Sequence, residues 1–178
     1  YVVAHGYAAV DRVLRDPGFL VEDAEFIQRI APGWVDEHPS LELLTDSMLK
    51  VNPPDHERMR RLVTKAFTAR RVAAMRESVE RRAADLADRM AATAGGQPVD
   101  FMAEFAYLLP VTVIADLLGV PEGDRPWFRP RATDLTVSLE PSIDIAELAA
   151  ADRAAVELTA YFTDLVATRQ REPGDDLI

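Results

Sequence analysis

Two long segments with helical periodicity constrain this chain more than any other feature. Between about residues 144 and 171, apolar side chains recur three and four positions apart, and residues 69–94 carry a similar stripe. This spacing places the apolar side chains on one face of an α-helix, which must then pack against other elements. Gly95 and Gly96 follow one segment and Pro173 follows the other, as is typical of helix ends. The pattern predicts a mainly α fold.

The remaining sequence predicts shorter elements and one long irregular stretch. Residues 1–3 suggest the end of a strand, residues 20–52 show no sustained period, and residues 139–143 are predicted to form a loop. Proline and glycine punctuate the irregular stretch, which is typical of a functional or partly mobile segment. Further helices are predicted at residues 7–15, 52–67, 101–119 with a break at Pro110, and 121–137.

One of these shorter helices carries the most informative pattern. Asn52 suits the N-cap, Pro53 suits the first turn, and Asp55 can reach back to the free amide groups. At about 100° per residue, His56 and Arg60 lie on or beside the apolar stripe, so both are expected to point toward the interior. The stripe that we expect to be buried comprises Met59, Leu62, Val63, Ala66 and Phe67. The cations that face away are Arg58, Arg61 and Lys65.

A buried Arg60 needs an anionic partner, because an isolated charge in the interior costs a large free energy. No Asp or Glu lies on the same side of this helix apart from Asp55. One interpretation is that a carboxylate from elsewhere in the fold pairs with Arg60, and that His56 is an ordinary histidine at the edge of the core. The other is a bound anionic ligand, since the planar fork of arginine matches a carboxylate or a phosphate.

Cysteine content and charge exclude several classes of function. The 178 residues contain no cysteine, which excludes a disulfide framework, a zinc finger, a thiol nucleophile and an iron site held by a thiolate from these residues. The net charge of −10 argues against a nucleic-acid binder, and no apolar run approaches the ~18 residues of a membrane span. Residues 57–82 nevertheless carry nine Lys or Arg against three Glu, which predicts either a solvated face or a docking patch for an acidic protein.

Four segments carry a resemblance to a known family. The run Asn-Pro-Pro-Asp-His-Glu-Arg-Met-Arg-Arg-Leu-Val at residues 52–63 resembles the C-helix signature of the soluble bacterial cytochromes P450. Residues 10–17 resemble the family's B helix, residues 98–121 its E-helix region, and residues 173–177 the stretch after its G helix. The resemblance implies a partial cytochrome P450 fold, mainly α with a little β-sheet. This single partial domain over residues 1–178 would run from the B helix to the end of the G helix.

The resemblance also implies a cofactor and an electron donor. The cofactor is heme b, and His56 and Arg60 are the residues that meet a heme propionate. The donor is a ferredoxin-type protein with its reductase, which would dock on the exposed basic side of the same helix. The docking residues implied are Arg58, Arg61 and Lys65. No catalytic residue and no metal ligand is expected in this segment, because the Cys loop, the I helix and the Glu-x-x-Arg of the K helix have no counterpart in it.

Two loops of the family cover its substrate, and the resemblance places both in this chain. The B–C loop corresponds to residues 20–52 and the F–G loop to residues 138–143. Substrate-lining residues are expected in the first loop, with plain loop packing as the alternative explanation. They are Leu44, Thr45, Met48 and Leu49.

For the complete protein, the resemblance implies a cytoplasmic heme-thiolate monooxygenase of bacterial secondary metabolism. This oxidoreductase would insert one oxygen atom from O2 into an apolar small molecule, and the segment alone would be inactive. Neither nucleic acid nor a membrane is expected as a partner. The alternative is a P450-like helper protein that lacks the thiolate and stabilises a glycosyltransferase. The inward orientation expected for His56 and Arg60 favours the enzyme, since a helper without heme has no propionate to pair with Arg60.

Overall fold

The computed structural model describes residues 2–140 and 145–174, and these residues form nine α-helices and no β-strand. The helices are α1 (Tyr7–Arg15), α2 (Ala24–Ile30), α3 (Trp34–Glu37), α4 (Pro39–Thr45), α5 (Asp55–Ala66), α6 (Ala69–Ala94), α7 (Leu108–Leu117), α8 (Arg125–Thr136) and α9 (Ile145–Arg171). A π-helical turn lies at Met102–Ala106, and 3-10 turns lie at Glu122–Asp124 and Val137–Leu139. The mainly α fold is confirmed. Among the described residues, no helix is both long and apolar enough to cross a membrane.

The two segments with long periodicity form the two longest helices of the described chain. α6 has the bounds that its apolar stripe predicts, and α9 ends at the predicted residue, Arg171. Gly95 ends α6 with a φ of 51°, a backbone conformation that glycine adopts without a side-chain clash. The buried side chains of α9 are Leu148, Ala151, Ala154, Ala155, Leu158 and Leu165. These side chains define the face that α9 turns to its neighbours.

The core lies where α7, α8 and α9 meet. Ala115 of α7, Phe128 of α8 and Leu158 of α9 are buried together with Val120. The ring of Phe128 meets that of Phe162 edge-on, with 6.1 Å between the centroids, which is a geometry that aromatic pairs favour. α9 also packs against α4, so it joins the core to the segment that the sequence predicted to be irregular.

That segment, residues 20–52, contains three short helices, so the prediction of irregular structure is wrong for much of it. α2, α3 and α4 have at most two turns each, which is too short for a sustained apolar period. Local signals set their ends instead. Asp23 caps α2 by accepting a hydrogen bond from the amide of Phe26 at 3.0 Å, and Pro39 is the first residue of α4.

The start of α5 also differs from the prediction. Pro54 rather than Asn52 takes the N-cap position, and Pro53 precedes the helix. The side chain of Asn52 instead donates to the carbonyl of Val21 at 3.1 Å and to the carboxylate of Asp23 at 2.7 Å, and it accepts from the Val21 amide at 3.0 Å. These three hydrogen bonds use both the N–H groups and the oxygen of the Asn52 side chain, whereas one capping bond would use only the oxygen. Asn52 therefore links the preceding segment to the start of α5.

Three smaller expectations are corrected. Pro110 lies in the first turn of α7, where proline is tolerated, and the backbone changes from π-helical to α-helical at Tyr107 without a break at Pro110. The helix expected at residues 121–137 divides into a 3-10 turn and α8. Val2 and Val3 are exposed and not part of a strand, because no described segment pairs with them.

A few expectations fall outside the described residues. They concern Tyr1, residues 141–143 of the expected F–G loop, the start of the long helix at residue 144, and residues 175–177 after the expected G helix. Of the expected F–G loop, the described part ends at Glu140, which has an extended backbone after the 3-10 turn.

Candidate functional site

α5 carries the residues predicted to face a ligand, and most of its surface is open. No described helix packs extensively against α5. Three residues of the apolar stripe that was expected to be buried are exposed, with 61% of Leu62, 38% of Val63 and 47% of Phe67 accessible. That expectation is wrong for the described residues, because periodicity marks an apolar face but does not supply the surface that covers it.

His56 and Arg60 lie one turn apart on α5. His56 is half-buried and Arg60 is exposed, so the inward orientation expected for Arg60 is not seen among the described residues. Within residues 2–140 and 145–174, neither side chain forms an ion pair or a side-chain hydrogen bond. A carboxylate of the described chain therefore does not neutralise Arg60. Two nitrogen donors on one helix face suit a carboxylate or phosphate by charge and spacing.

The other side of α5 is basic. Arg58, Arg61 and Lys65 are all exposed, and Arg58 donates its Nε to Asp55 Oδ1 at 3.3 Å. Asp55 thus pairs with Arg58 rather than reaching back to the free amide groups as the sequence suggested. Arg61 and Lys65 form no ion pair with any residue that the structure describes. This side of α5 therefore presents exposed positive charge.

The four residues predicted to line a substrate pocket do not surround a common cavity. Thr45 is buried at the end of α4, and its hydroxyl donates to the carbonyl of Glu42 at 3.0 Å. Leu44 is half-buried, whereas Met48 and Leu49 are exposed after α4. None of the four lines either of the two cavities described next. Their contact with a substrate stays a prediction.

An apolar cavity of about 520 Å³ lies between α4, α8 and α9. Its wall includes Leu43 of α4, Leu135 of α8 and Phe162 of α9. Sequence reasoning missed this set, because the three side chains come from elements far apart in the chain. The one available signal is the apolar stripe of α9, which continues to Phe162. The cavity is open to solvent rather than enclosed, and its lining is mainly apolar.

A second cavity, of about 260 Å³, lies between α6, α7 and α8 and is lined mainly by charged side chains. Asp116 of α7 pairs with Arg125 at 2.6 Å and with Arg82 at 3.4 Å. Glu122 makes longer contacts to the same two arginines. The Nε of Arg129 is buried with no hydrogen-bond partner in the described part of the chain. The ion pairs link three elements, so the cluster holds α6, α7 and α8 together.

Comparison with known proteins decides the family. The sequence model of the family described as Cytochrome P450 matches residues 1–125. This chain belongs to the cytochrome P450 family. It is 44% identical over 131 residues to Cytochrome P450 107B1 from Saccharopolyspora erythraea, across 74% of this chain and 30% of the relative. It is 40% identical over 161 residues to Mycinamicin IV hydroxylase/epoxidase from Micromonospora griseorubida, across 89% of this chain and 38% of the relative.

Solved cytochromes P450 share the fold. The mixed-function P450 MycG superposes with a TM-score of 0.61 at 43% identity, over 74% of this chain and 32% of the other. P450BioI, solved with acyl carrier protein ligated to hexadec-9Z-enoic acid, gives a TM-score of 0.81 at 27% identity, over 97% of this chain and 43% of the other. The expected partial P450 fold is confirmed. The chain spans about a third of the length of the curated relatives that it matches.

Members of the cytochrome P450 family use heme as their cofactor. Cytochromes P450 are heme-iron oxidoreductases, and the region that holds the iron ligand in the family is not covered by this segment. Within the described residues, no group of three or more His, Asp or Glu side chains is placed to hold a metal ion. His56 and Arg60 fit another part of the cofactor by their chemistry, since a propionate is a carboxylate and these two donors lack a partner in the described chain.

Proposed function

We propose that this chain is the amino-terminal part of a heme-dependent monooxygenase of bacterial secondary metabolism, which inserts one oxygen atom from O2 into an apolar small molecule. One observation above all supports the proposal. His56 and Arg60 stand one turn apart without a partner in the described chain, on the helix that resembles the family's C helix. Relatives named for oxygen insertion support the reaction class, among them Mycinamicin IV hydroxylase/epoxidase and 6-deoxyerythronolide B hydroxylase.

His56 and Arg60 hold one propionate of heme b in this proposal. Arginine offers two parallel N–H groups to a carboxylate, and such charge-assisted hydrogen bonds are roughly twice as strong as neutral ones. His56 reaches the same group from one turn earlier on α5. Removal of the pair from water in the complete protein strengthens both contacts, because the effective dielectric constant falls. The bound heme supplies the oxygen chemistry.

The apolar cavity supports an apolar substrate. Its walls of Leu43, Leu135 and Phe162 offer apolar contact area. In the proposal, residues 20–52 are the B–C loop over that substrate and residues 138–143 belong to the F–G loop. The further contacts proposed from the family resemblance are Leu44, Thr45, Met48 and Leu49.

The basic side of α5 supports a ferredoxin-type electron donor, itself reduced by a reductase, in the bacterial cytoplasm. Arg61 and Lys65 carry positive charge that no described carboxylate offsets, and Arg58 adds a third charge that is partly offset by Asp55. An acidic donor would be steered to this surface, with an effect on the rate of association that falls as salt concentration rises.

Heme retention in the complete protein tests the propionate contact. Arg60→Ala removes the guanidinium, and we expect a lower ratio of heme to protein after gel filtration than in the wild type. Arg61→Ala is the matched control, since it removes the same charge from the next residue, about 100° further around α5. Equal heme content in the two variants and the wild type would overturn the assignment.

The reduced carbon monoxide spectrum of the complete protein tests the reaction class. A monooxygenase with a thiolate ligand is expected to show the red-shifted Soret band of thiolate-ligated heme. A helper protein that stabilises a glycosyltransferase and lacks the thiolate would not show that band, and its absence would overturn the proposed enzyme.

A further inference from the structure

One carboxylate of α9 takes three hydrogen bonds from the start of α4. The backbone amide of Ser40 donates to Asp152 Oδ1 at 3.1 Å, and the Ser40 hydroxyl donates to the same atom at 2.6 Å. His38 Nδ1 lies 2.8 Å from the other oxygen, Oδ2, and donates to it because an ionised carboxylate only accepts. We call these three bonds the α4 latch. They join positions separated by more than 110 residues in the chain.

The α4 latch replaces the cap that α4 lacks. His38 occupies the N-cap position but its side chain makes no capping bond, and Pro39 has no N–H to offer. Ser40 therefore carries the first free amide of α4, and this residue is fully buried. The carboxylate of Asp152 satisfies that amide and also lies at the positive end of the helix dipole.

The hydrogen bonds of the α4 latch stabilise the ionised form of Asp152. Burial alone raises the pKa of Asp152, but the hydrogen bonds from His38 and from Ser40 outweigh it and leave the pKa below its ordinary value. Less than a fifth of the His38 and Asp152 side chains is exposed. Charge-assisted hydrogen bonds that are shielded from water in this way are stronger than exposed ones.

The position of α4 sets one wall of the apolar cavity. Leu43 lies on α4, three residues after Ser40, while Leu158 and Phe162 on the opposite wall lie on α9. A helix of seven residues has little stability of its own, so its position depends on what holds it. Leu41 is also buried, which leaves an apolar contribution to the attachment when the latch is removed.

We propose that Asp152 is a positioning residue that holds α4 on α9 through the α4 latch and thereby slows the release of a ligand bound against Leu43 in the apolar cavity. The identification of that cavity as the substrate site rests on the proposed function. The latch itself does not, since it consists of contacts within the described chain.

Hydrogen exchange in the complete protein tests the latch directly. In Asp152→Ala, the amides of residues 40–45 are expected to exchange about tenfold faster or more, which is the effect of losing hydrogen bonds to a charged group. Ser40→Ala removes one of the three bonds and is expected to give a smaller increase in the same amides. Asp164→Asn, an exposed carboxylate further along α9, is the matched control and should leave those rates unchanged. Unchanged exchange in both latch variants would overturn the latch.

Release of an apolar azole tests the effect of α4 on ligand release. 4-Phenylimidazole coordinates heme iron and shifts the Soret band, and its dissociation from Asp152→Ala is expected to be several-fold faster than from the wild type and from Asp164→Asn. Faster exchange in α4 with unchanged azole release would overturn the effect of α4 on ligand release. A wild-type protein with no heme and no azole shift would overturn the proposed function instead, and the exchange rates would still decide the latch.

Discussion

The ion-pair cluster around Asp116 makes a quantitative prediction about stability. Asp116 binds Arg125 at 2.6 Å and Arg82 at 3.4 Å, and only 12% of the Arg125 side chain is exposed. Asp116→Asn keeps the size of the side chain but removes its charge, so Glu122, at 3.9 Å, is the carboxylate of the described chain that remains near the buried Arg125. The folded state therefore loses much of the compensation for a buried charge.

The size of the effect follows from burial. Removal of one partner from a fully buried ion pair costs about 3–5 kcal/mol. Asp116 is 27% exposed and Glu122 offers a weaker substitute, so we expect the free energy of unfolding to fall by about 2–3 kcal/mol. The assay is urea unfolding of the complete protein, followed by helical circular dichroism.

A matched control separates burial from charge. Glu77 and Arg81 form an ion pair on α6 at 3.1 Å, with 83% and 67% of their side chains exposed. Glu77→Gln is expected to change the free energy of unfolding by less than about 1 kcal/mol, because water screens exposed pairs. If Asp116→Asn and Glu77→Gln changed stability equally, burial would not be what gives the cluster its strength.

Three further predictions concern the core, acid stability and electron delivery. Phe128→Ala is expected to lower the free energy of unfolding by about 3–5 kcal/mol, and an effect below about 1 kcal/mol in the same urea assay would contradict the core described here. The pKa of Asp152 is lower in the folded state than its ordinary value, so its ionised carboxylate stabilises the folded state above about pH 4. This stabilisation is lost as the pH falls through the lowered pKa. Below about pH 4, the free energy of unfolding should therefore fall less steeply in Asp152→Asn than in the wild type. An identical pH dependence in the two proteins would refute the role of Asp152 in acid stability. Reversal of the three α5 charges should slow reduction of the heme protein by the ferredoxin without changing its azole affinity. Stopped-flow measurements at low salt can check this rate, and an unchanged rate of reduction would refute the docking surface. That variant combines Arg58→Glu, Arg61→Glu and Lys65→Glu.

Sequence periodicity predicts the long helices well, because many turns repeat the same signal. α6 and α9 have 26 and 27 residues, and both end where the apolar stripe and the glycine or proline that follows it indicate. The helices of residues 20–52 are too short to show a period. Their ends depend on single side chains such as Asp23 and on Pro39, which are visible in the sequence but not decisive by themselves.

Contacts between distant residues account for most of what the sequence does not predict. Asparagine is a residue type that favours the N-cap of a helix, yet the hydrogen-bond partners of Asn52 lie about 30 residues earlier in the chain. Asp152 lies on the polar edge of a long helix, where nothing local indicates that it caps α4. The stripe on α5 correctly identifies an apolar face, but the burial of Leu62 depends on a surface that the described residues do not provide.

The proposed function depends above all on Arg60, with His56, binding a heme propionate. The most direct measurement is an experimental structure of the complete protein with its heme. We predict the guanidinium of Arg60 within about 2.7–3.2 Å of a propionate oxygen, with the His56 ring beside it. An Arg60 side chain that points into solvent, or that pairs with an Asp or Glu of its own chain away from the porphyrin, would contradict the account.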